Sequence, residues 1–243
     1  MYIWLNKILN NERYYLFKNA SKYEKIITAL SSKMMGLTRS ELSKKMGVKS
    51  GGTITLLLSE LEESGFITRY AHFNNKSKKV IYRLSDFYSL FYLKFIKKNT
   101  NFDEGVWTNA IDHPKQRAWA GYTFEQICLA HVPQIKKALG INGVISQSSS
   151  WKSKQSENGA QIDLLIDRRD QVINLCEVKY SINPFRITKS YAEQLRNKIG
   201  IFRSETKTKK AIFLTMITTY GLEKNAYSAS IVQNEVRMDE LFE

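Results

Sequence analysis

Two carboxylates and one amine are conspicuous because they interrupt otherwise apolar runs. Those runs predict two β-strands, QIDLLID (161–167) and QVINLCEVKY (171–180). If the strands form a hairpin centred on Asp170, Asp163 lies directly opposite Glu177. Lys179 is two residues beyond Glu177 and therefore projects from the same face of the strand. The sequence thus predicts two carboxylates and an ammonium group that converge within a buried sheet.

Such a group of side chains has a definite chemistry. The carboxylates of Asp163 and Glu177 and the backbone carbonyl of Val178 form a hard oxygen set suited to Mg²⁺ or Mn²⁺. Lys179 would position or activate the attacking water, or stabilise charge on a phosphate. This arrangement serves metal-assisted hydrolysis, in which the cation polarises a phosphoryl oxygen and generates hydroxide near neutral pH. The alternative is a buried ion pair between Lys179 and one of the carboxylates.

A third carboxylate, Glu125, shares a predicted helical stripe with apolar side chains. The helix is expected to begin around Thr123, and steps of four and seven residues from Glu125 reach Leu129 and Val132. A carboxylate on that face must be paired, metal-bound or hydrogen-bonded. The alternative places Glu125 in the first turn, where the helix dipole favours an anion, behind a capping box of Thr123 and Gln126. The sequence leaves both interpretations open.

The elements that would position these residues resemble the core of the PD-(D/E)xK nuclease superfamily. From residue 118 to about 220 the predicted order is a helix, a strand, a strand with Asp163, a strand with Glu177-Val178-Lys179, a helix and a strand. The resemblance implies a restriction-endonuclease-like α/β core, with a mixed sheet flanked by helices. It also implies that Asp163 and Glu177 bind the metal ion and that Lys179 is the catalytic lysine.

The same resemblance assigns two further residues. Glu125 corresponds to an additional carboxylate of the first core helix, and Gln194 lies at a position of the second helix that often supports such sites. The amphipathic pattern of that second helix is formed by Tyr191, Leu195, Ile199 and Phe202. One departure is that Ile162 stands where the motif has a proline, which weakens the specificity of the motif and leaves its chemistry unchanged.

The positive charge of the chain is concentrated in its first part. The sequence of 243 residues has 37 Lys and Arg against 23 Asp and Glu, a formal net charge of +14. Residues 1–100 contain 18 Lys and Arg against 7 Asp and Glu, whereas residues 101–243 contain 19 against 16. A surplus of this size favours a polyanionic partner, and nucleic acid is the commonest one for a soluble protein.

Composition excludes several classes of protein. With 43% hydrophobic and 12% aromatic residues, the chain is not a disordered basic tail. No stretch approaches the roughly 18 apolar residues of a membrane span, so no membrane partner is expected. Cys128 and Cys176 stand singly in apolar runs, which predicts neither a disulfide framework nor a paired-cysteine metal site. We expect a soluble cytoplasmic protein.

The basic first part, residues 1–100, resembles a winged helix-turn-helix domain followed by an aromatic linker helix. From residue 21 to about 85 the pattern is a helix, a helix between a Thr38–Glu41 capping box and Gly47, a third helix, and two strands. The resemblance implies that the third helix lies in the major groove and that the hairpin contacts phosphates. The candidate nucleic-acid-binding residues are Lys49, Lys76, Lys78 and Lys79.

The third helix carries few side chains that read bases. Its outward positions are mostly Thr, Ser and Glu, and it lacks the Arg, Asn or Gln side chains that bind base edges. The alternative is a module for protein docking or dimerisation. The next helix, predicted for residues 86–98 from an Asp86 N-cap, is apolar almost all round. That pattern indicates burial between domains or subunits, and it makes this helix the candidate interface of a homodimer.

A wider resemblance joins the two parts. A winged helix followed by a nuclease-like domain, here residues 1–100 and 101–243, is similar to the C-terminal region of a family of archaeal and bacterial P-loop ATPases. That family has a nucleotide-binding domain ahead of these modules, so the resemblance implies an ATPase partner. The sequence has no GxxxxGKS/T motif, and ATP binding is not expected of this chain.

The expected function is that of a DNA-binding protein with a Mg²⁺-dependent endonuclease-like domain that hydrolyses phosphodiesters. The alternative is a non-catalytic DNA- or protein-binding regulatory module of an ATPase that retains the nuclease fold. The set of Glu125, Asp163, Glu177 and Lys179 favours catalysis, whereas the acidic third helix and the missing P-loop favour a dependent module.

The lysines of the hairpin give a first prediction. Replacing Lys76, Lys78 and Lys79 with Ala should weaken DNA binding, because every phosphate that is no longer neutralised keeps its counterion. The slope of the logarithm of the binding constant against the logarithm of salt concentration should fall by about 0.9 for each such phosphate. Fluorescence anisotropy with duplex DNA at several salt concentrations measures the slope, and an unchanged slope would assign the hairpin a different role.

Overall fold

The computed structural model describes residues 20–33, 36–48, 51–73, 80–97, 114–153 and 159–243. These residues form two compact units. The first comprises the described residues of Met1–Tyr70 and Lys78–Asn109, and the second those of Ala71–Ser77 and Ala110–Glu243. Both units contain helices and a sheet, so the fold is mixed α+β.

Short helices and a small sheet make up the first unit. In chain order its elements are α1 (Ala20–Ser31), β1 (Leu37–Thr38), α2 (Arg39–Met46), α3 (Gly52–Glu63), β2 (Ile67–Ala71), β3 (Val80–Leu84) and α4 (Phe87–Phe91). The described strands form a three-stranded sheet in the order β1-β3-β2, and β1 pairs with β3 antiparallel. The helices α1, α2 and α3 and the strands β2 and β3 follow the order predicted from the sequence, whereas β1 was not predicted.

Local sequence signals determine where α2 begins and ends. The Thr38 side chain accepts a hydrogen bond from the backbone N–H of Glu41, and the Glu41 side chain accepts one from the backbone N–H of Thr38. This confirms the predicted capping box. Gly47 ends the helix with φ 66° in the left-handed region, as predicted. Partial burial alone would raise the pKa of Glu41, but the hydrogen bonds from Lys33 and Thr38 outweigh it and lower that pKa to about 2.

The predicted helix at 86–98 changes character after one turn. Asp86 is its N-cap, because its side chain accepts a hydrogen bond from the backbone N–H of Ser89, 2.8 Å away. The α-helix then continues from Tyr92 to Ile96 as a π-helix. Two aromatic pairs, separated by 6.4 and 5.3 Å between ring centroids, line this segment: Tyr88 with Tyr92 and Phe91 with Phe95.

A larger mixed sheet forms the centre of the second unit. Its elements are α5 (Pro114–Ala130), α6 (Val132–Ala138), β4 (Ser146–Lys152), β5 (Gln161–Arg168), β6 (Val172–Lys179), α7 (Lys189–Thr206), β7 (Ala211–Thr218), α8 (Ala226–Ile231) and β8 (Asn234–Arg237). The described strands lie in the order β4-β5-β6-β7-β8, with β4, β5 and β6 antiparallel and β6, β7 and β8 parallel.

The central strands β5 and β6 are buried because both faces of the sheet are covered. Leu165, Ile173 and Leu175 are fully buried in a core that α7 completes with Ala192, Leu195 and Phe202. The two cysteines, Cys128 and Cys176, are free and buried. In the part of the chain that the structure describes, no helix is both long and apolar enough to cross a membrane.

Gly36, in the first unit, occupies a position where a side chain would be unfavourable for two reasons. Gly36 has φ +81°, and a Cβ atom there would lie 2.5 Å from the carbonyl oxygen of Tyr82 in β3. Gly47 has a similar φ of +66°, but a Cβ atom there would meet nothing within 4 Å. A comparison of substitutions at Gly36 and Gly47 therefore separates the cost of left-handed backbone strain from the cost of steric overlap.

We expect Gly36→Ala to destabilise the first unit by about 3 kcal/mol or more, because strain and overlap add. Gly47→Ala is the matched control, and its cost of about 1 kcal/mol should reflect left-handed strain alone. Amide hydrogen exchange at Leu57 and Leu58, buried in α3, measures the change. Equal destabilisation in the two variants would contradict the steric argument.

Candidate functional site

The hairpin of β5 and β6 has the register predicted from the sequence. The antiparallel partners include Leu164 with Cys176 and Leu165 with Leu175, so the pairing is centred on Asp170. Continuing this register by one position places Asp163 opposite Glu177. The apolar residues of both strands fix this register, since a slip by one residue would turn every buried side chain to the other face.

Glu177 is buried, with 8% of its surface exposed, and both of its carboxylate oxygens have partners. Oε1 accepts a hydrogen bond of 2.8 Å from the Tyr191 hydroxyl and lies 3.1 Å from Nζ of Lys179. Oε2 accepts a hydrogen bond of 2.6 Å from Nζ of Lys198. The Lys179 ammonium also lies 5.4 Å from the centre of the Tyr191 ring. Glu177 and Lys179 therefore meet as predicted, together with two residues of α7.

These partners keep the buried carboxylate ionised. Burial alone would raise the pKa of Glu177, but the charges of Lys198 and Lys179 and the hydrogen bonds from Lys198 and Tyr191 hold that pKa below its ordinary value. Burial, the charge of Glu177 and the shared hydrogen bond raise the pKa of Tyr191, so its hydroxyl remains a donor. The site thus contains a stable anion at neutral pH.

Asp163 occupies the neighbouring position on β5 and is partly buried. Its Oδ1 accepts a hydrogen bond of 2.7 Å from the side-chain amide of Gln161. Val178 pairs with Ile217 in the parallel ladder between β6 and β7. The metal-binding roles of Asp163, Glu177 and the Val178 carbonyl stay predictions.

The interpretation that placed Glu125 in the first turn of its helix is wrong. The helix α5 begins at Pro114, so Glu125 lies about three turns into it, and the capping box of Thr123 and Gln126 does not form. The Thr123 hydroxyl and the Gln126 amide nitrogen are buried without a hydrogen-bond partner among the described residues. The sequence is misleading here because Gly121 weakens the helical pattern, although a Cβ atom at this position would meet nothing within 4 Å.

The helix of Glu125 packs on β6. Burial chiefly, and then the nearby Cys176 and Glu125, raise the pKa of Cys128. Cys128 of α5 is therefore close to Cys176, and α5 lies on the side of β6 from which Cys176 projects. Successive side chains of a strand point to opposite faces, so Glu177, which contacts α7, projects from the other side of β6. Within the described part of the chain no group of three or more His, Cys, Asp or Glu side chains could hold a metal ion, so Glu125, Asp163 and Glu177 do not form such a group.

The residues of α7 that contact Glu177 are Tyr191 and Lys198, whereas the sequence indicates Gln194. Gln194 is exposed, and it lies between Tyr191 and Lys198 at helical spacings of three and four residues. Sequence reasoning assigned Tyr191 to the core and did not single out Lys198. The available signal was the position of Lys198, seven residues after Tyr191, where a charged residue joins a predicted apolar stripe.

In the first unit, the glutamates of α3 make internal contacts. The Tyr23 hydroxyl donates a hydrogen bond to Glu60, and Nε of Arg69 lies 3.0 Å from Glu62. The ion pair with Arg69 offsets one acidic charge on the helix predicted to enter the major groove, and the hydrogen bond from Tyr23 orients a second carboxylate. The lysines predicted to contact nucleic acid lie outside the described residues: Lys49, Lys76, Lys78 and Lys79.

No known protein family, curated protein or solved structure matches this chain.

The hydrogen bond between Tyr191 and Glu177 gives a prediction about pH. Since the pKa of folded Glu177 lies below its ordinary value of 4.5, its stabilising contribution is complete above that value and is lost as the pH falls through the folded pKa. Tyr191→Phe should raise that pKa and lower stability by about 2 kcal/mol at neutral pH. The difference from the wild type should shrink in acid.

Urea unfolding between pH 3 and 7 measures both effects. Tyr227→Phe is the control, because Tyr227 is an exposed residue of α8 for which a loss of stability is not expected. A loss of stability in Tyr191→Phe that is equal at every pH would indicate poorer packing and would contradict a role for the hydroxyl.

Proposed function

We propose that the second unit hydrolyses phosphodiesters with the help of Mg²⁺ or Mn²⁺, at a site formed by Asp163, Glu177 and Lys179. The observation that carries this proposal is the register of β5 and β6 up to Leu164 and Cys176, whose continuation by one residue brings Asp163 opposite Glu177, together with the distance of 3.1 Å between Lys179 and the Glu177 carboxylate. Two carboxylates and a lysine on one face of a central hairpin are costly to bury, and a hydrolytic site explains their presence.

The topology supports membership of the PD-(D/E)xK superfamily. A helix precedes three antiparallel strands, and a second helix, α7, then leads to a strand parallel to β6. That order agrees with the one the sequence resemblance implies. In the first unit, three helices, with the short strand β1 between the first and second, and then β2 and β3 support a winged helix-turn-helix, for which we propose DNA as the partner.

The residues present fit a divalent cation. Mg²⁺ keeps several waters and needs only one or two protein carboxylates besides substrate phosphates, which Asp163 and Glu177 can provide. Glu177 meets the further requirement that a ligand be ionised, since its pKa is lowered. When bound, the cation would polarise the phosphodiester and generate hydroxide.

The remaining functional residues act through their own donors and charges. Lys179 is 35% exposed, so its ammonium can reach a phosphate oxygen or hold the attacking water. Tyr191 fixes the orientation of Glu177 with its hydroxyl. Gln194, exposed on the same helix, is proposed as a supporting residue on the basis of the resemblance. Glu125 is not, because α5 packs on the side of β6 from which Cys176 projects and not on the side of Glu177.

One observation favours the alternative, a non-catalytic regulatory module. Lys198 forms an ion pair of 2.6 Å with Glu177, and together with Lys179 it neutralises this carboxylate without a metal ion. Such a site could preserve the fold without catalysis. In that case the unit would bind DNA or protein as part of an ATPase assembly. An ATPase partner and a homodimer formed through the aromatic segment after Asp86 are proposed for either function.

Cleavage of plasmid DNA in Mg²⁺ or Mn²⁺ tests the catalytic proposal. Asp163→Ala and Lys179→Ala should each lower the rate by about 100-fold or more, because each removes a group that stabilises charge in the transition state. Asp170→Ala, at the exposed turn of the same hairpin, and Lys189→Ala, at the exposed start of α7, are the matched controls and should retain activity. Single-stranded DNA is tested in parallel.

Two outcomes would contradict the catalytic proposal. One is the absence of cleavage by the wild type with either metal ion and either form of DNA. The other is cleavage that survives both Asp163→Ala and Lys179→Ala. DNA binding without cleavage would favour the regulatory module instead.

A further inference from the structure

Lys198 is held against Glu177 by the packing of its helix. It follows Tyr191 by two helical turns, and Leu195 between them is buried in the core of the second unit. Phe202, one turn beyond Lys198, is fully buried as well. Because these anchors fix the rotation of α7, the Lys198 ammonium is directed at the carboxylate and does not extend freely into solvent.

The two oxygens of Glu177 are used differently. Oε1 is shared between Tyr191 and Lys179, whereas the described contact of Oε2 is the shorter one, to Lys198 at 2.6 Å. Lys198 is also less exposed than Lys179, with 23% against 35% of its side chain accessible. An ion pair that is shorter and less solvated is harder to break.

We propose that Lys198 is a built-in counter-ion of the metal site, which occupies the cation position at Oε2 of Glu177 and which a divalent cation must displace. This inference rests on the proposed function, since it concerns the same carboxylate. Lys198 is a positioning residue: its hydrogen bond of 2.6 Å holds the Glu177 carboxylate in a fixed orientation while the site holds no metal. The consequence is a well-ordered site with a weak affinity for the metal ion.

Charge balance gives the direction of the effect. The Glu177 carboxylate lies against two ammonium groups, those of Lys179 and Lys198, so a divalent cation that approaches it meets two positive charges. Without the Lys198 ammonium one of these charges is removed, and the cation no longer competes with an ion pair of 2.6 Å. Affinity for the metal ion should therefore rise when Lys198 is neutralised, by about tenfold or more.

Calorimetric titration of the full chain with Mn²⁺ tests this proposal. Lys198→Met should bind Mn²⁺ about tenfold more tightly than the wild type. Lys198→Arg keeps the charge and should retain the wild-type affinity. Lys189→Met, which removes an exposed lysine from the first turn of the same helix, should also leave the affinity unchanged. Asp163→Ala in the Lys198→Met background should abolish the gain if the ion binds at this site.

Thermal unfolding provides a second readout. Without metal, Lys198→Met should unfold at a lower temperature than the wild type, because Glu177 loses a donor, and saturating Mn²⁺ should raise its melting temperature more than that of the wild type. If Lys198→Met does not fold, Lys198→Gln, which removes the charge and keeps a donor, is used for both measurements.

The outcomes separate this inference from the proposed function. If the wild type binds Mn²⁺ and neutralising Lys198 leaves the affinity unchanged or lowers it, the counter-ion role is overturned while the metal-dependent function stands. If neither the wild type nor any Lys198 variant binds Mn²⁺, both are overturned. Tighter binding in Lys198→Met that Asp163→Ala abolishes supports both.

Discussion

The second unit depends on the burial of one carboxylate in the centre of its sheet. An ionised Glu177 in β6 would cost several kcal/mol if it had no partners. Its donors come from different parts of the chain, Lys179 from the same strand and Tyr191 and Lys198 from α7. The sheet and α7 must therefore be held at a fixed distance and rotation, and the apolar contacts of Leu195 and Phe202 provide this. The ion pairs and hydrogen bond of Glu177 in this unit thus depend on the apolar packing of α7 against the sheet.

The features that the sequence predicted well are those that depend on neighbouring residues. The capping box at Thr38 and the left-handed Gly47 follow from side-chain chemistry within four residues and from the freedom of glycine. The register of β5 and β6 follows from the symmetry of a short hairpin between two apolar runs, and it brought Asp163 and Glu177 to neighbouring positions as expected. In these cases few alternative local structures are possible, and the sequence therefore predicts the observed one.

The features that the sequence did not predict depend on distant packing. The start of α5 at Pro114 was missed because Gly121 resembles a helix boundary, and tertiary contacts of Trp119 and Tyr122 override that weak preference. Lys198 was missed because a lysine on a helix is usually solvated, and only the position of β6 beneath α7 makes it a partner of Glu177. The π-helix after Phe91 has no simple sequence signal at all.

The crossover between β6 and β7 also determines the order in which this site can assemble. The β5–β6 hairpin closes a short loop and can form early, whereas parallel pairing of β6 with β7 requires the whole of α7 to be in place first. In a chain where the hairpin forms first, Glu177 would keep its water until α7 docks. Contacts made after the folding transition state slow unfolding more than they speed folding, so in that order the ion pairs from α7 would lengthen the lifetime of the assembled site.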